Sequence, residues 1–329
     1  LNEVPEMGYG FDTIYMHAAP MFHLADMAST FAVTLAGGSH GIVPRFDVGG
    51  VLSFMEREKI THTLLVPTMI NLLVSSGKIK DFDVSSVKRM LYGASPMPEA
   101  VLIAAMEQMP DALFAQGYGQ TEASPIITVL APEFHVLGGA KLRSAGRAAL
   151  GVEVAIMDKD DVELPRGKVG EICARGPNVM LGYWGMEQAS AETLRHDWLH
   201  TGDLGYMDED GFVFIVDRAK DMIISGGENI FSVEVEGTIY SHPSVQECAI
   251  VGIPHDEWGE MVHAIVVLKE GHGLNEGELL AHCRALIAGY KLPRSIEFRS
   301  EPLPVSGAGK ILKNELRRPY WENKGRGVN

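Results

Sequence analysis

Between residues 16 and 119 the chain repeats one pattern: a short apolar run, a Gly or Pro, then apolar residues at helical spacing. Layers of strand and helix bury both kinds of apolar face, so the pattern predicts an α/β fold. In its clearest unit Met90, Leu91 and Tyr92 form a strand and Pro98 sits in the first turn of a helix. Val101, Leu102, Ala105, Met106 and Met109 then mark one face of that helix. A second helix is expected over Leu24–Leu35. With 329 residues, 46% of them hydrophobic, the chain is long enough for about two domains.

Over residues 128–217 the punctuation changes to short β-prone pieces, among them Val152-Glu-Val-Ala-Ile156 and Gly211-Phe-Val-Phe-Ile-Val216, which predict a small β-rich subdomain. Beyond Arg218 the pattern is mixed again, with β-branched runs at Ala249-Ile-Val251 and Ala264-Ile-Val-Val-Leu268. A helix is expected over residues 276–288, capped by Asn275 with Glu278 reaching back, and burying Leu279, Cys283, Leu286 and Ile287. The domain boundary is placed at Lys220, giving residues 1–219 and 220–329.

Twenty-eight Lys and Arg against 43 Asp and Glu leave a net charge of −15, which opposes duplex nucleic acid and anionic membrane surfaces. Small-molecule partners fit better, and a homo-oligomer remains open. No apolar run approaches the roughly 20 residues that span a bilayer. Cys173, Cys248 and Cys283 are odd in number and widely spaced, matching neither a disulfide framework nor a zinc ligand set. The opening residues lack a basic region followed by an apolar core, so a reducing, cytoplasmic location is the expectation.

Several turns concentrate groups that suit a nucleotide. Gln116-Gly-Tyr-Gly-Gln-Thr-Glu-Ala-Ser124 sets two glycines beside a hydroxyl and a carboxylate; bare backbone lets a ligand approach, and Thr121 and Glu122 suit phosphate and a hard cation. The same Gly-x-Gly serves equally as an ordinary turn. At Tyr92-Gly-Ala-Ser-Pro-Met-Pro98, Gly93 and Ala94 are small enough for a planar ring to lie on the backbone, or simply end a strand. Asp203 in His200-Thr-Gly-Asp203 suits ribose hydroxyls, and Arg218 in Asp217-Arg-Ala-Lys-Asp221 suits ribose or phosphate, although a surface ion pair is the commoner use of such residues. Lys310 follows Ser306-Gly-Ala-Gly, but Pro304 and Ile311 stand where a phosphate-binding Gly-Lys loop needs Gly and Ser or Thr, which excludes that loop. His196-Asp-Trp-Leu-His200 lacks the Glu of a zinc helix and runs into Thr201-Gly202, so no metal is expected there. His23 precedes the helix that begins at Leu24.

Taken in order, Pro20-Met-Phe-His23, Tyr92 to Pro98, Gly117-Tyr-Gly-Gln-Thr-Glu122, Thr201-Gly-Asp203, Asp217 to Asp221, Ser225-Gly-Gly227 and Ser306 to Lys310 resemble the adenylate-forming superfamily of acyl-CoA synthetases, luciferases and amino-acid adenylation domains. The resemblance covers nearly the whole chain. It implies a large N-terminal domain of α/β layers, of which this chain carries the C-terminal part, followed by a small mobile α+β domain. It also implies an acid–thiol ligase that uses ATP, Mg²⁺ and CoA and holds no tightly bound cofactor. On this resemblance Gly93, Ala94 and Ser95 line adenine, and Gly117, Tyr118, Gly119, Gln120 and Thr121 meet the nucleotide. Glu122 holds Mg²⁺, Asp203 and Arg218 hold ribose, and Lys220 is the hinge. Lys310 is the adenylation catalyst, and Thr121 and Glu122 are counted with it as catalytic; Gly226 and Gly227 line the CoA tunnel, and His23 borders the acyl pocket.

The family's Ser/Thr/Gly-rich phosphate loop precedes the Pro-Met-Phe-His element, and nothing between Leu1 and Pro20 resembles it. The chain therefore resembles the later part of a longer enzyme, and poor adenylation or none is expected of it. Leu24, Ala25, Met27 and Ala28 follow His23 without an obvious buried carboxylate to meet an amino group, which favours a fatty or other apolar acid. Only 19 residues follow Lys310, too few for a carrier domain. A luciferase-like relative and a non-catalytic nucleotide- or CoA-binding remnant are the alternatives.

Overall fold

Short parallel strands covered on both faces account for the apolar runs of the first half. The computed structural model describes residues 2–307 and 309–322. Seven strands, β1 (Ile14–His17), β2 (Ser39–Ile42), β3 (His62–Leu65), β4 (Arg89–Gly93), β5 (Leu113–Gly119), β6 (Ile126–Leu130) and β7 (Arg147–Ala148), form one sheet in the order β2-β1-β3-β4-β5-β6-β7. The first five are parallel, and β6 and β7 are added antiparallel. Every residue of β3 is buried, as a parallel strand between two layers requires.

The helices of this region are α1 (Glu3–Met7), α2 (Leu24–Leu35), α3 (Val48–Glu58), α4 (Pro67–Ser75) and α5 (Glu99–Gln108). Helix α2 has the bounds read from sequence. Asp47 caps α3 by accepting from the Gly50 N–H at 2.8 Å. Helix α5 follows Pro98 and buries Val101, Leu102 and Ala105, with Met109 buried just beyond its end and Met106 half-buried.

A second sheet is built from β8 (Glu153–Met157), β9 (Gly170–Arg175), β10 (Leu194–Arg195), β11 (Trp198–Met207) and β12 (Val213–Arg218), with helix α6 (Glu187–Thr193) before β10. The separate β-rich layer thus begins at Glu153; the earlier β-prone pieces, β6 and β7, extend the first sheet instead. Strand β11 carries an irregularity between His200 and Leu204 in its pairing with β9, and Gly202 there adopts φ +73°.

The third sheet holds β13 (Ile223–Ser225), β14 (Glu228–Ile230), β15 (Val245–His255), β16 (Gly259–Leu268) and β17 (Ser295–Arg299). It packs with α7 (Ser232–Tyr240), α8 (Glu276–Arg284) and α9 (Lys313–Trp321). Residues Cys248 and Ile250 of β15 pack with Val235, Ile239, Leu279 and Cys283 of α7 and α8. Their neighbours Ala249 and Val251 pack with Leu316 of α9. Two covered faces explain why this run is apolar without alternation.

Asn275 and Glu278 make the expected capping box on α8. The helix ends at Arg284, however, and Leu286 is exposed rather than buried. The Ala285 and Leu286 N–H groups donate to His282 and Cys283, three residues back, and this tightened last turn rotates Leu286 outward.

The chain divides into two compact units: residues up to Met97 together with Val101–Ile215, and Pro98–Ala100 together with the chain from Val216. Among the described residues, no helix is long and apolar enough to cross a membrane.

Candidate active site

In the first unit the Gly-rich strand ends of β4 and β5 lie side by side. Gly93 pairs with Gly117, and a Cβ on Gly93 would stand 2.1 Å from the Gly117 carbonyl oxygen. A Cβ on Gly119 would stand 1.8 Å from the Pro125 oxygen. Close approach of neighbouring backbone therefore already demands glycine at both positions, whatever lies above them. Beyond Gly93 the chain takes Ala94 through φ +66°, a left-handed conformation costly for alanine, and Ser95 follows half-buried.

Gln120, Thr121 and Glu122 lead out of β5, with Thr121–Ala123 forming a single 3₁₀ turn. Thr121 is exposed and Glu122 half-buried. A later segment braces this turn. The Met180 N–H donates to the Glu122 carbonyl at 2.7 Å, and the Tyr183 hydroxyl donates to Glu122 Oε1 at 2.8 Å. Asn178 Nδ2 donates to the Ala123 and Ile126 carbonyls at 2.8 and 3.1 Å. The sequence reading missed Asn178 and Tyr183, because nothing in their own spacing announces that they fold back onto residues some sixty positions earlier.

The structure also brings Tyr118 and Asp203 together. The Tyr118 hydroxyl donates to Asp203 Oδ2 at 2.8 Å, and both residues are buried. Asp203 is presented by the irregular stretch of β11, where its N–H donates to Thr201 Oγ1 at 3.1 Å and Thr201 Oγ1 in turn donates to the Ile172 carbonyl at 2.6 Å. Glu122 is one half-buried carboxylate held by a tyrosine, a donor that suits Mg²⁺ completed by waters and phosphate oxygens. It belongs to no three-residue group of potential metal ligands among the described residues.

His23 stands at the N-cap of α2 without capping it, and its Nε2 is buried with no hydrogen-bond partner. The expectation of no buried carboxylate near the apolar residues after His23 is corrected: Asp26 on α2 is fully buried. Its oxygens meet His17 Nδ1 at 2.7 Å and the Tyr15 hydroxyl at 3.2 Å, so Asp26 faces β1 and is already partnered.

In the second unit the positions read as functional lie at a strand end and in turns, all exposed except Lys310, which is half-buried. Arg218 and Lys220 are exposed at and just after the end of β12, and Arg317 donates to the Lys220 carbonyl at 2.9 Å. Gly226 and Gly227 form the two-residue turn between β13 and β14, with φ of +60° and +86° and Ser225 paired to Glu228. Two consecutive left-handed residues define a type I′ hairpin, which by itself demands glycine-like conformations here. Lys310 lies in a tight turn where the Ser306 N–H donates to the Lys310 carbonyl at 2.8 Å, and Val305 bridges to Ile311. Ala308 lies outside the described residues.

Beneath these turns is a charged cluster that the sequence reading did not anticipate. Lys313 Nζ lies 2.6 Å from Glu236 Oε1 and donates to Ser232 Oγ at 2.7 Å. Ser232 donates through both its N–H and its hydroxyl to Asp217. Burial pushes the Asp217 and Glu236 carboxyls up, and the Lys313 ammonium opposes that shift. Asp217, next to Arg218, is thus an internal anchor of the turn.

The AMP-binding enzyme family matches residues 2–184, and its C-terminal domain matches residues 234–310. The chain belongs to the AMP-binding enzyme family. A feruloyl-CoA synthase of Amycolatopsis is 41% identical over 321 residues, covering 97% of this chain and 64% of that protein. A medium/long-chain-fatty-acid–CoA ligase of Mycobacterium tuberculosis is 37% identical over 320 residues, 95% of this chain and 55% of that protein. The chain thus spans less than two thirds of the length of these relatives. Among solved structures, an amide bond synthetase of Marinactinospora thermotolerans matches with TM-score 0.88 and 34% identity over 97% of this chain and 64% of that one. The o-succinylbenzoate CoA synthetase of Bacillus subtilis, in complex with an acyl-adenylate intermediate, matches with TM-score 0.84 and 33% identity over 96% of this chain and 63% of that one. These likenesses agree with the α/β fold and the adenylate-forming resemblance drawn from the motifs.

Proposed function

We propose that this AMP-binding chain carries the chemistry of an acid–thiol ligase. A carboxylate oxygen attacks the α-phosphorus of ATP and pyrophosphate leaves; the CoA thiolate then attacks the acyl carbon and AMP leaves. The observation that carries this reading is the Tyr118–Asp203 hydrogen bond, which sets a buried carboxylate beside the glycine backbone of β5 and the Thr121–Glu122 turn. Bare backbone, a hydroxyl and two fixed carboxylates suit a nucleotide better than an apolar ligand.

In this reading Gly93, Ala94 and Ser95 face the adenine, Gly117 to Gln120 meet the nucleotide, Thr121 the phosphate, and Asp203 with Arg218 the ribose. Glu122 holds Mg²⁺, which when bound offsets phosphate charge. Lys310 stabilises the negative charge that develops on the phosphoryl oxygens, Lys220 is the pivot between the two steps, Gly226 and Gly227 border the pantetheine arm, and His23 the acyl group. An apolar carboxylic acid, with a fatty acid as the first choice, is the proposed substrate, and the half-buried Leu24, Ala25, Met27 and Ala28 beside His23 support it. The three cysteines are free and buried, which suits a reducing compartment such as the cytoplasm.

The test has two arms. One offers ATP with a panel of fatty and aryl acids and follows pyrophosphate; the other offers preformed acyl-adenylates with CoA and follows thioester by mass. Thioester from one class of adenylate supports the reading and names the acid. AMP binding with neither half-reaction overturns it in favour of a nucleotide-binding remnant, and oxygen-dependent light emission overturns it in favour of a luciferase-like relative.

A further inference from the structure

Two strands of the second sheet assemble a donor set that the spacing of cysteines and histidines did not reveal. Glu171 and Cys173 stand two apart on β9 and therefore share a face, and His200 on β11 pairs directly with Cys173. Each offers a donor atom, and the three atoms lie within 4.8 Å of one another. Cys173 Sγ is 3.4 Å from His200 Nδ1, and Glu171 Oε2 is 2.9 Å from the same nitrogen.

That nitrogen faces incompatible demands. Arg195 Nη2 lies 2.8 Å from Nδ1 and, being only a donor, requires its lone pair. The Glu171 carboxylate, only an acceptor when ionised, requires a proton there. The other ring nitrogen, Nε2, is buried without a hydrogen-bond partner, 3.7 Å from Asp161 Oδ1, and the His200 side chain is 3% exposed. A cation between the three donors removes the conflict. Its lone pair taken by the ion, Nδ1 has no need of Arg195 or of a proton, and the ring's proton sits on Nε2, which faces Asp161 Oδ1 3.7 Å away, the side on which metal-bound histidines commonly have a carboxylate. Arg195 keeps two hydrogen bonds to Asp161, at 2.9 and 3.1 Å, when it gives up Nδ1.

We propose that Glu171, Cys173 and His200 form a binding site for a divalent transition-metal ion of the zinc class, with water as the fourth ligand and Arg195 as the group the ion displaces. Thiolate, imidazole and carboxylate together are a borderline-soft set that favours such ions over Mg²⁺ or Ca²⁺. Burial holds the Cys173 thiol protonated, so binding releases a proton to solvent. The site ties β9 to β11 where β11 is irregular: Glu171 Oε1 also accepts from the Gly202 N–H at 2.9 Å, one residue before Asp203.

Cobalt(II) titration of the 329-residue chain tests this without any assay of turnover. The expected result is a saturable thiolate-to-cobalt absorption band at one equivalent, suppressed by Zn²⁺, lost in Cys173→Ser, and reached at about tenfold lower cobalt in Arg195→Met. The Arg195 variant guards against misfolding, because a disrupted fold does not tighten binding. Absence of the band in both the natural chain and Arg195→Met, or its survival in Cys173→Ser, overturns the proposal.

Discussion

The two units present their polar groups in opposite ways. In the first, Asp203 and Glu122 are held from several sides by Tyr118, Thr201, Tyr183 and Met180, and the glycines beside them are fixed by neighbouring strands. In the second, Arg218 and Lys220 are exposed at and just after the end of β12, and the hydrogen-bonded charges are those of the neighbouring cluster of Lys313, Glu236, Ser232 and Asp217. A preorganised acceptor surface suits recognition, where misplacement loses binding. Cations on short turns over a firm base suit groups that engage in one step and leave in the next.

The strongest way to break this contrast is Lys313→Met. Removing the ammonium leaves Glu236 and Asp217 with an uncompensated charge in a largely buried place, which costs about 3 kcal/mol. Urea unfolding should show the second unit melting earlier while the first is unchanged; a single transition shifted as a whole would remove the distinction between the units. Lys310→Ala sharpens the contrast from the other side. The proposed adenylation step should lose roughly 3 kcal/mol of transition-state stabilisation, on the order of a hundredfold in pyrophosphate release. Thioester formation from preformed acyl-adenylate should change far less, and equal losses would contradict a cation that serves one step.

Tyr118→Phe probes the braced side. Losing a hydrogen bond to the Asp203 carboxylate should cost about 1.5 kcal/mol, read as roughly tenfold weaker AMP binding by calorimetry. The buried histidines report on the frame of both units. Burial lowers His62 from 6.5 to about 4, with the Arg89 and Lys88 charges adding to the effect, and burial lowers His135 and His263 likewise. The folded protein therefore binds fewer protons than the unfolded chain between those two values. The histidine contribution to stability should be full above pH 6.5 and fall as the pH drops toward 4, with His62 supplying up to about 3 kcal/mol. Melting curves of His62→Gln should show a shallower acid slope. The smallest effect is expected of Gly226→Ala: the space is open, with Trp258 no nearer than 3.7 Å, so only the left-handed φ resists, at about 1 kcal/mol of stability. Loss of thioester formation in a variant this mild would favour the tunnel role over the hairpin role.

Helix α2, the strand before Pro98 and the capping box at Asn275 were legible because their signals are local: one-face periodicity, a proline in a first turn, a cap and its partner three residues on. The order of the motifs was enough for the superfamily, since each is a short contiguous string. What the string could not show is which residues a string meets. Gly93 reads as an opening for a ring, yet its contact with Gly117 depends on the register of β4 and β5; Gly226 and Gly227 read as a tunnel, yet the hairpin already requires them. Asn178 and Tyr183 reach the Glu122 turn, Lys313 reaches Glu236, and Glu171 and Cys173 meet His200, each across a gap in sequence that only sheet pairing and packing close. The sequence by itself determined the α/β class, the family and those elements whose signals are local, because these follow from periodicity and contiguous motifs. The tertiary structure alone decided the partners of each polar group, because a buried donor or acceptor is satisfied by whatever the fold places within about 3 Å of it, not by what lies next to it along the chain.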